Sequence, residues 1–153
     1  MKYAHSAKLT VFSYEYENSE EILNSFISFF PFNLEENKIG LKKSTAQGFN
    51  ESKIKIFEVV LAKSNLISQF LEKIMENINA QQKQLVIGQA ESRLDEDLNF
   101  FLRFDKEAWI SDRKLFITDS GRCFHLKISI AAFPKKREVA LNIVKKLFSG
   151  KPL

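Results

Sequence analysis

Three consecutive cations, Lys135, Lys136 and Arg137, follow Pro134 near the end of the chain. Proline favours the first turn of a helix, and apolar residues recur at helical spacing over 139–147, so we expect a helix over about 134–148. Positive charge at the positive end of a helix dipole is unfavourable unless an anion offsets it. Free N–H groups at a helix start bind phosphate, so the cluster predicts contact with a nucleic acid. A solvated run of charges is the alternative.

A second group of charges, Arg103, Asp105 and Lys106, stands at the end of a strand-like run over 98–104. Lys106 falls where the chain leaves the strand, which is a common place for ligand-facing groups. We therefore expect Arg103 and Lys106 to hold phosphates. Asp105 could instead fix either cation in an ion pair.

Alternation in the C-terminal strands predicts one sheet face that is both aromatic and basic. Side chains two residues apart point to the same face, which places the following residues opposite the core: Phe101, Arg103, Phe116, His125, Lys127 and Ser129. Proteins that bind single-stranded RNA stack bases on aromatic rings and hold phosphates with cations. The alternative is that the two Phe residues are buried under another element or a homodimer partner.

Residues suited to catalysis are few. The chain has two His and one Cys, no Cys/His cluster with metal-ligand spacing, and five Gly in neither common phosphate-loop order. The acidic run Asp95, Glu96 and Asp97 could hold Mg²⁺, although a solvated turn is the simpler interpretation. We expect no catalytic residue, cofactor or metal, and a metal-dependent nuclease is a distant alternative.

Composition bounds the class of protein. The 153 residues are 44% hydrophobic and 27% charged, as in a soluble globular protein, and we expect one domain over 1–153. No apolar run approaches the roughly 20 residues of a membrane span, and the N-terminus lacks an apolar signal core. The single cysteine, Cys123, excludes an intramolecular disulfide. We therefore expect a cytoplasmic protein without a membrane role.

Charge is unevenly distributed along the chain. Residues 1–100 hold 11 basic and 14 acidic residues, a net charge of −3, whereas residues 101–153 hold 12 and 5, a net charge of +7. This asymmetry predicts a surface that faces a polyanion. Pairing of the acidic N-terminal part with the basic end is the alternative.

The elements that must position these groups predict an α+β fold. A strand over 7–16 precedes a helix that Asn18 or Ser19 caps and Pro31 ends, and Ser64 opens a second helix. We expect a further helical piece over 82–92, although Gly88 disfavours helix within it. Five more strands are expected over 37–47, 53–61, 98–104, 114–118 and 123–133. Short links make the last three strands antiparallel neighbours. The prediction is a mainly antiparallel sheet with helices packed on one face.

Two runs carry a resemblance to a known family: Leu102-Arg103-Phe104-Asp105-Lys106-Glu107-Ala108 and Phe133-Pro134-Lys135-Lys136-Arg137-Glu138. They resemble two motifs of a small archaeal family of predicted RNA-binding proteins and predicted exosome subunits. Arg93-Leu94-Asp95 is similar to the arginine-valine-aspartate that precedes the first motif. The resemblance covers most of the chain and is strong over about 85–148.

The resemblance implies a fold like that of a large-subunit ribosomal protein that binds ribosomal RNA. It also implies RNA binding without assigned catalysis, accessory to archaeal RNA processing or exosome-mediated degradation. Around Gln47-Gly48-Phe49-Asn50 the family's histidine is missing, so no function is carried to that site.

We therefore expect a non-catalytic RNA-binding protein whose partners are the RNA phosphate backbone and an RNA-processing complex. The expected phosphate-binding residues are Arg103, Lys106, Lys127, Lys135, Lys136 and Arg137. The expected stacking groups are Phe101, Phe116 and His125. The alternative is a homodimeric protein-interaction module without nucleic-acid binding, whose exposed Phe residues form the interface.

Overall fold

The computed structural model describes residues 2–150, without the side chain of Glu51; Met1 and residues 151–153, which the predicted domain included, lie outside the described residues. It contains five strands: β1 (Ala4–Ser13), β2 (Lys42–Gln47), β3 (Lys53–Leu61), β4 (Asn99–Asp105) and β5 (Cys123–Ile130). It contains six α-helices: α1 (Ser19–Ile27), α2 (Ser64–Asn77), α3 (Ala80–Gly88), α4 (Ala90–Arg93), α5 (Lys106–Asp112) and α6 (Arg137–Ser149). None of these helices has the length and apolarity that a membrane crossing requires.

The five strands form one sheet in the order β2-β3-β1-β5-β4, and every neighbouring pair is antiparallel. The central strand β1 places Leu9 opposite Val59 on β3 and opposite Leu126 on β5. Leu126 in turn lies opposite Leu102 on β4. The predicted α+β fold with a mainly antiparallel sheet is confirmed.

The helices pack on one face of the sheet and bury its apolar side chains. The Phe29 ring, just after α1, lies 4.9 Å from that of Phe124 and 4.4 Å from that of Trp109 on α5. Phe148 on α6 lies 5.9 Å from Phe100 on β4. Each fully buried side chain of this size contributes about 1.5–3 kcal/mol relative to exposure, so this layer holds the sheet against the helices. The opposite face of the sheet is left open.

Local sequence explains where the helices begin. The Asn18 side chain accepts hydrogen bonds from the N–H groups of Glu20 and Glu21, as the predicted cap of α1 requires, and α2 begins at the predicted Ser64. Helix α5 was not predicted. It begins directly after β4, because Asp105 caps it through a hydrogen bond from the Ala108 N–H at 2.9 Å.

Several predicted elements differ in the structure. Strand β1 lies over Ala4–Ser13 rather than 7–16, β2 covers Lys42–Gln47 rather than 37–47, and the helical piece over 82–92 is divided between α3 and α4. The last helix begins at Arg137 rather than Pro134, and Lys136 is its N-cap, with extended backbone at φ −130° and ψ 145°. Residues 114–118 form an isolated bridge, Phe104 opposite Ile117, rather than a full strand. The Asp105 N–H donates to the Phe116 carbonyl at 2.8 Å, so this segment still follows the outer edge of β4.

Candidate nucleic-acid interface

The open face of the sheet brings cations from three strands together. Strand register aligns Lys8 on β1 with Lys127 on β5, and Lys127 with Phe101 on β4. The next row aligns Thr10, His125 and Arg103. These two rows line a groove of about 400 Å³. We call this surface, lined by Lys8, Thr10, Phe101, Arg103, His125 and Lys127, the open-face site.

Lys8 was missed as a functional residue, although the alternation of β1 carried the signal. Leu9 and Val11 are buried against the helices, so Lys8 and Thr10 must point to the opposite face. What local sequence does not show is that β1 lies directly beside β5. That strand order places Lys8 next to Lys127 and makes the central part of the face basic.

Phe101 projects from the edge strand of this face and is 42% exposed. A second groove, of about 310 Å³, lies on its other side and is lined by Gln89, Ser92, Arg93, Phe101, Arg103 and Asp119. The ring therefore forms a ridge between two grooves, where a planar group can stack on it. Burial of Phe101 under another element of the same chain, the alternative considered above, does not occur.

Arg93 and Arg103 both hold the loop at Asp119. An Arg93 guanidinium nitrogen lies 3.1 Å from Asp119 Oδ1, and Arg103 Nη1 donates to the Asp119 carbonyl at 2.9 Å. Arg93 also donates to Gln89 Oε1 through two nitrogens, at 3.0 and 2.6 Å. These bonds fix two cations beside Phe101. Sequence singled out Arg93 only as part of a motif.

His125 is half-buried between rings and cations. Its ring lies 5.8 Å from that of Phe12, and its Nε2 lies 3.5 Å from Cys123 Sγ. Burial first, and then the positive charges of Arg103 and Lys106, lower the pKa of His125 below its ordinary value. The imidazole therefore favours its neutral form and offers the face a ring rather than a charge.

Lys106, one of the expected phosphate ligands, has a structural role instead. Its side chain is 1% exposed, and its Nζ donates to the Phe12 carbonyl at 2.8 Å and to both carboxylate oxygens of Glu17 at 3.1 and 3.2 Å. Burial lowers the pKa of Lys106, while Glu17 acts in the opposite direction. Because three acceptors surround a buried ammonium group, phosphate cannot reach it.

The Lys135-Lys136-Arg137 cluster divides into two kinds of residue. Arg137 donates to the carbonyls of Leu94 at 3.1 Å and Asp95 at 3.4 Å, and also to that of Glu91. It thereby satisfies backbone carbonyls at and after the end of α4, but the residue is exposed, so its expected contact with phosphate stays a prediction. Lys135 and Lys136 lie exposed before α6, with no carboxylate among the described residues within 4 Å.

Two other residues of the expected face lie at its margins. Phe116 is 54% exposed, beside the end of β4 rather than on a strand of its own. The Ser129 hydroxyl donates to Asn99 Oδ1 at 2.7 Å across the β4–β5 pair. Phe116 is thus available as a stacking surface, whereas Ser129 is engaged within the sheet.

The acidic run forms a turn. Asp95 Oδ1 accepts from the N–H groups of Asp97 at 2.9 Å and Asn99 at 2.8 Å. Burial opposes the shift, but these hydrogen bonds lower the pKa of Asp95. In the described part of the chain, no three His, Cys, Asp or Glu residues are grouped so that they could hold a metal ion.

Charge pairing accounts for part of the basic C-terminal region. Glu17, from the acidic N-terminal part, lies within 4 Å of both Lys106 and Arg122, as the intramolecular alternative anticipated. Over residues 2–150, the cations of the open-face site have no carboxylate within that distance. Among the described residues, internal pairing therefore leaves the cations of the open face and those before α6 without a carboxylate partner.

Known proteins that are similar to this chain are described as RNA-binding. A family model described as RNA binding matches residues 6–130. An RNA-binding protein of Pyrococcus abyssi is 24% identical over 148 residues, which cover 96% of this chain and 95% of that protein.

Solved structures share the fold over nearly their whole length. A protein from Sulfolobus solfataricus is 29% identical, with a TM-score of 0.74 and coverage of 95% of this chain and 98% of that one. A DUF54 protein from Methanothermobacter thermautotrophicus is 25% identical, with a TM-score of 0.77 and the same coverage. Because the family model spans most of the chain, this protein belongs to the family described as RNA binding.

Proposed function

We propose that this protein binds RNA without catalysing a reaction on it, and that the open-face site is where it does so. The observation that carries the proposal is the alignment of Lys8, Lys127 and Phe101 across three adjacent strands. Neighbouring strands lie about 4.8 Å apart, so two ammonium groups and one ring share a surface about 10 Å wide. Cations and an exposed ring on that scale suit a phosphate backbone and its bases.

The residues divide by the part of RNA that they would contact. Lys8, Arg103 and Lys127 would hold phosphates on the face, and Lys135 and Lys136 would hold them beyond its end. Phe101, Phe116 and His125 would offer rings to bases. Five phosphate contacts on single-stranded RNA predict a log–log salt slope of roughly −3.5.

Removal of two face cations tests this proposal. In Lys8→Gln/Lys127→Gln, two phosphate contacts are lost, so the magnitude of the log–log salt slope should fall by roughly 1.4. The loss of RNA affinity relative to wild type should therefore be about 25-fold greater at 0.1 M salt than at 1 M salt. The matched control is Lys145→Gln/Lys146→Gln, which removes the same charge from exposed positions on α6, across the sheet. Fluorescence anisotropy with a labelled RNA measures both. Equal loss in the two variants would reduce the effect to net charge and refute the site.

A cellular role follows from the family resemblance. We propose that the protein acts in the cytoplasm as an accessory to archaeal RNA processing or exosome-mediated degradation. The resembling runs around residues 102–108 and 133–138 support this part of the proposal. Purification of the tagged protein from an archaeal cell, followed by identification of the proteins and sequencing of the RNA, tests it. Recovery of RNA without any RNA-processing protein would remove the accessory role and leave RNA binding intact.

The exposed Phe residues favour one alternative, a homodimeric interaction module. Phe101, Phe116 and Phe133 are all exposed, the last by 95%. Solution mass measurement of the protein and of Phe101→Ala and Phe116→Ala separates the two functions. A dimer that the substitutions dissolve, with RNA affinity unchanged, would assign these rings to a protein interface.

A further inference from the structure

The outer edge of β4 has a short stretch of backbone without a partner. At one end of the stretch, Leu94 bridges Phe100, and Asn99 exchanges hydrogen bonds with Asp95. At the other end, the Thr118 N–H donates to the Arg103 carbonyl at 2.9 Å. Residues 99 and 103 therefore direct their backbone groups away from β5, and alternation gives residue 101 the same direction.

Two backbone groups in this gap remain unpaired in the described structure. They are the carbonyl of Phe101 and the N–H of Arg103, since the Leu94–Phe100 bridge engages the Phe101 N–H. An acceptor and a donor thus follow one another along the strand edge. Unpaired backbone groups cost free energy unless water or a ligand satisfies them.

The gap opens into the groove of about 310 Å³ described above. One wall is α4 with Ser92 and Arg93, and the other is the loop at Asp119. Arg93, whose side chain is 10% exposed, is fixed there by Gln89 and Asp119. The Phe101 ring stands at the rim.

The dimensions of the gap restrict what can fill it. The two bridges, at Phe100 and Phe104, leave room for pairing with about one residue, so an added peptide strand would collide with the segments at 94 and 117. A nucleobase is planar and carries adjacent donors and acceptors on its edge. The nucleotide also carries a negative phosphate, which the exposed guanidinium of Arg103 suits.

We propose that this groove receives one unpaired nucleobase, whose edge hydrogen-bonds to the backbone of Phe101 and Arg103 and whose phosphates lie toward the cations of the open-face site. This rests on the proposed function and makes the substrate class single-stranded RNA. A base held in a duplex has its edge already paired, so duplex RNA of the same sequence reaches only the cations.

A substitution that fills the groove tests the inference. Ser92 is exposed at the groove wall, so Ser92→Tyr places a ring in the groove without removing a cation. We test binding of three tetranucleotides: tetraadenylate, tetracytidylate and tetrauridylate. Because the variant loses one stacked and hydrogen-bonded base, the affinity for at least one of them should fall by about 5- to 150-fold. The salt slope and duplex affinity should not change, because no phosphate contact is removed. Ser68→Tyr, at an exposed position on α2, is the matched control.

The amide spectrum provides a second measurement. Titration with the tetranucleotide that binds best should shift the N–H resonance of Arg103 in the wild-type protein and not in Ser92→Tyr. Wild-type affinity in Ser92→Tyr, or binding without this shift, would overturn the groove assignment. If Lys8→Gln/Lys127→Gln still loses affinity in that case, the open-face proposal stands. A wild-type protein that binds none of these RNAs would refute both proposals.

Discussion

Replacement of Lys106 by methionine separates the structural role of this residue from the expected RNA contact. Lys106→Met keeps most of the buried chain volume but removes an ammonium group that contacts one carbonyl and both carboxylate oxygens of Glu17. Glu17 itself is 6% exposed, so its charge cannot be fully solvated in the variant. Breaking a buried pair by removing one partner costs about 3–5 kcal/mol.

The remaining contacts of Glu17 place the cost at the lower end of that range. Arg122 Nε stays 3.6 Å from Glu17 Oε2, and the Tyr14 N–H stays 3.1 Å from Oε1. We therefore expect a loss of about 3 kcal/mol in the free energy of unfolding. For a chain of this length, that lowers the Tm by about 6–12 °C.

Urea unfolding and RNA affinity should be measured on the same preparations. Lys114→Met, at an exposed position after α5, is the control and should change stability by less than about 0.5 kcal/mol. RNA affinity of folded Lys106→Met should stay within about twofold of wild type, since phosphate does not reach position 106. A stability change below about 1 kcal/mol, or a tenfold loss of RNA affinity in the folded variant, would refute this assignment of Lys106.

Two further predictions concern single side chains. Arg137→Ala should lower the free energy of unfolding by about 1.5–3 kcal/mol because it leaves carbonyls at and after the end of α4 without a charged donor. Lys135→Ala is the control and should change the free energy of unfolding by less than about 0.5 kcal/mol. Urea unfolding measures both variants. His125 should titrate, by NMR, with a midpoint below its ordinary value of 6.5. The folded state favours the neutral ring, so the contribution of His125 to the free energy of unfolding is complete above pH 6.5 and falls as the pH drops toward the lowered pKa. This pH dependence should be missing in His125→Asn. A midpoint at or above 6.5 would contradict the burial of the ring.

Periodicity predicted the parts of this fold in which apolar residues recur regularly. The pattern over 53–61 matched β3 at both ends, and α2 began at its predicted serine. Elements whose formation depends on neighbours were missed or displaced. Helix α5 has seven residues and depends on the cap from Asp105, and the segment at 114–118 pairs with β4 only at a bridge. A short apolar run does not itself distinguish these outcomes.

The contacts of single side chains at the site also depend on residues that are distant in sequence. Phe100, Leu102 and Phe104 face the helices, so the same alternation assigns position 106 to the buried side, where Lys106 lies. Its acceptors, however, are distant in sequence at Phe12 and Glu17. No local pattern shows that a buried lysine will find a carboxylate there, and charge at a strand end was therefore interpreted as ligand-facing.

The roles of Lys106 and Arg137 bear on what the family resemblance means. Each of the two resembling runs contains one cation that is committed to contacts inside the protein: Lys106 ties β1 and its following loop to α5, and Arg137 ties α6 to the end of α4. These runs therefore specify how the last elements dock on the sheet, which exposes Phe101 and Lys127 on the opposite face. If so, disrupting Lys106 should lower stability without altering RNA affinity, while Lys8, outside both runs, should control affinity without altering stability. RNA binding would then depend on a surface that the motifs position, and to which they contribute the exposed cations Arg103, Lys135 and Lys136, rather than on Lys106.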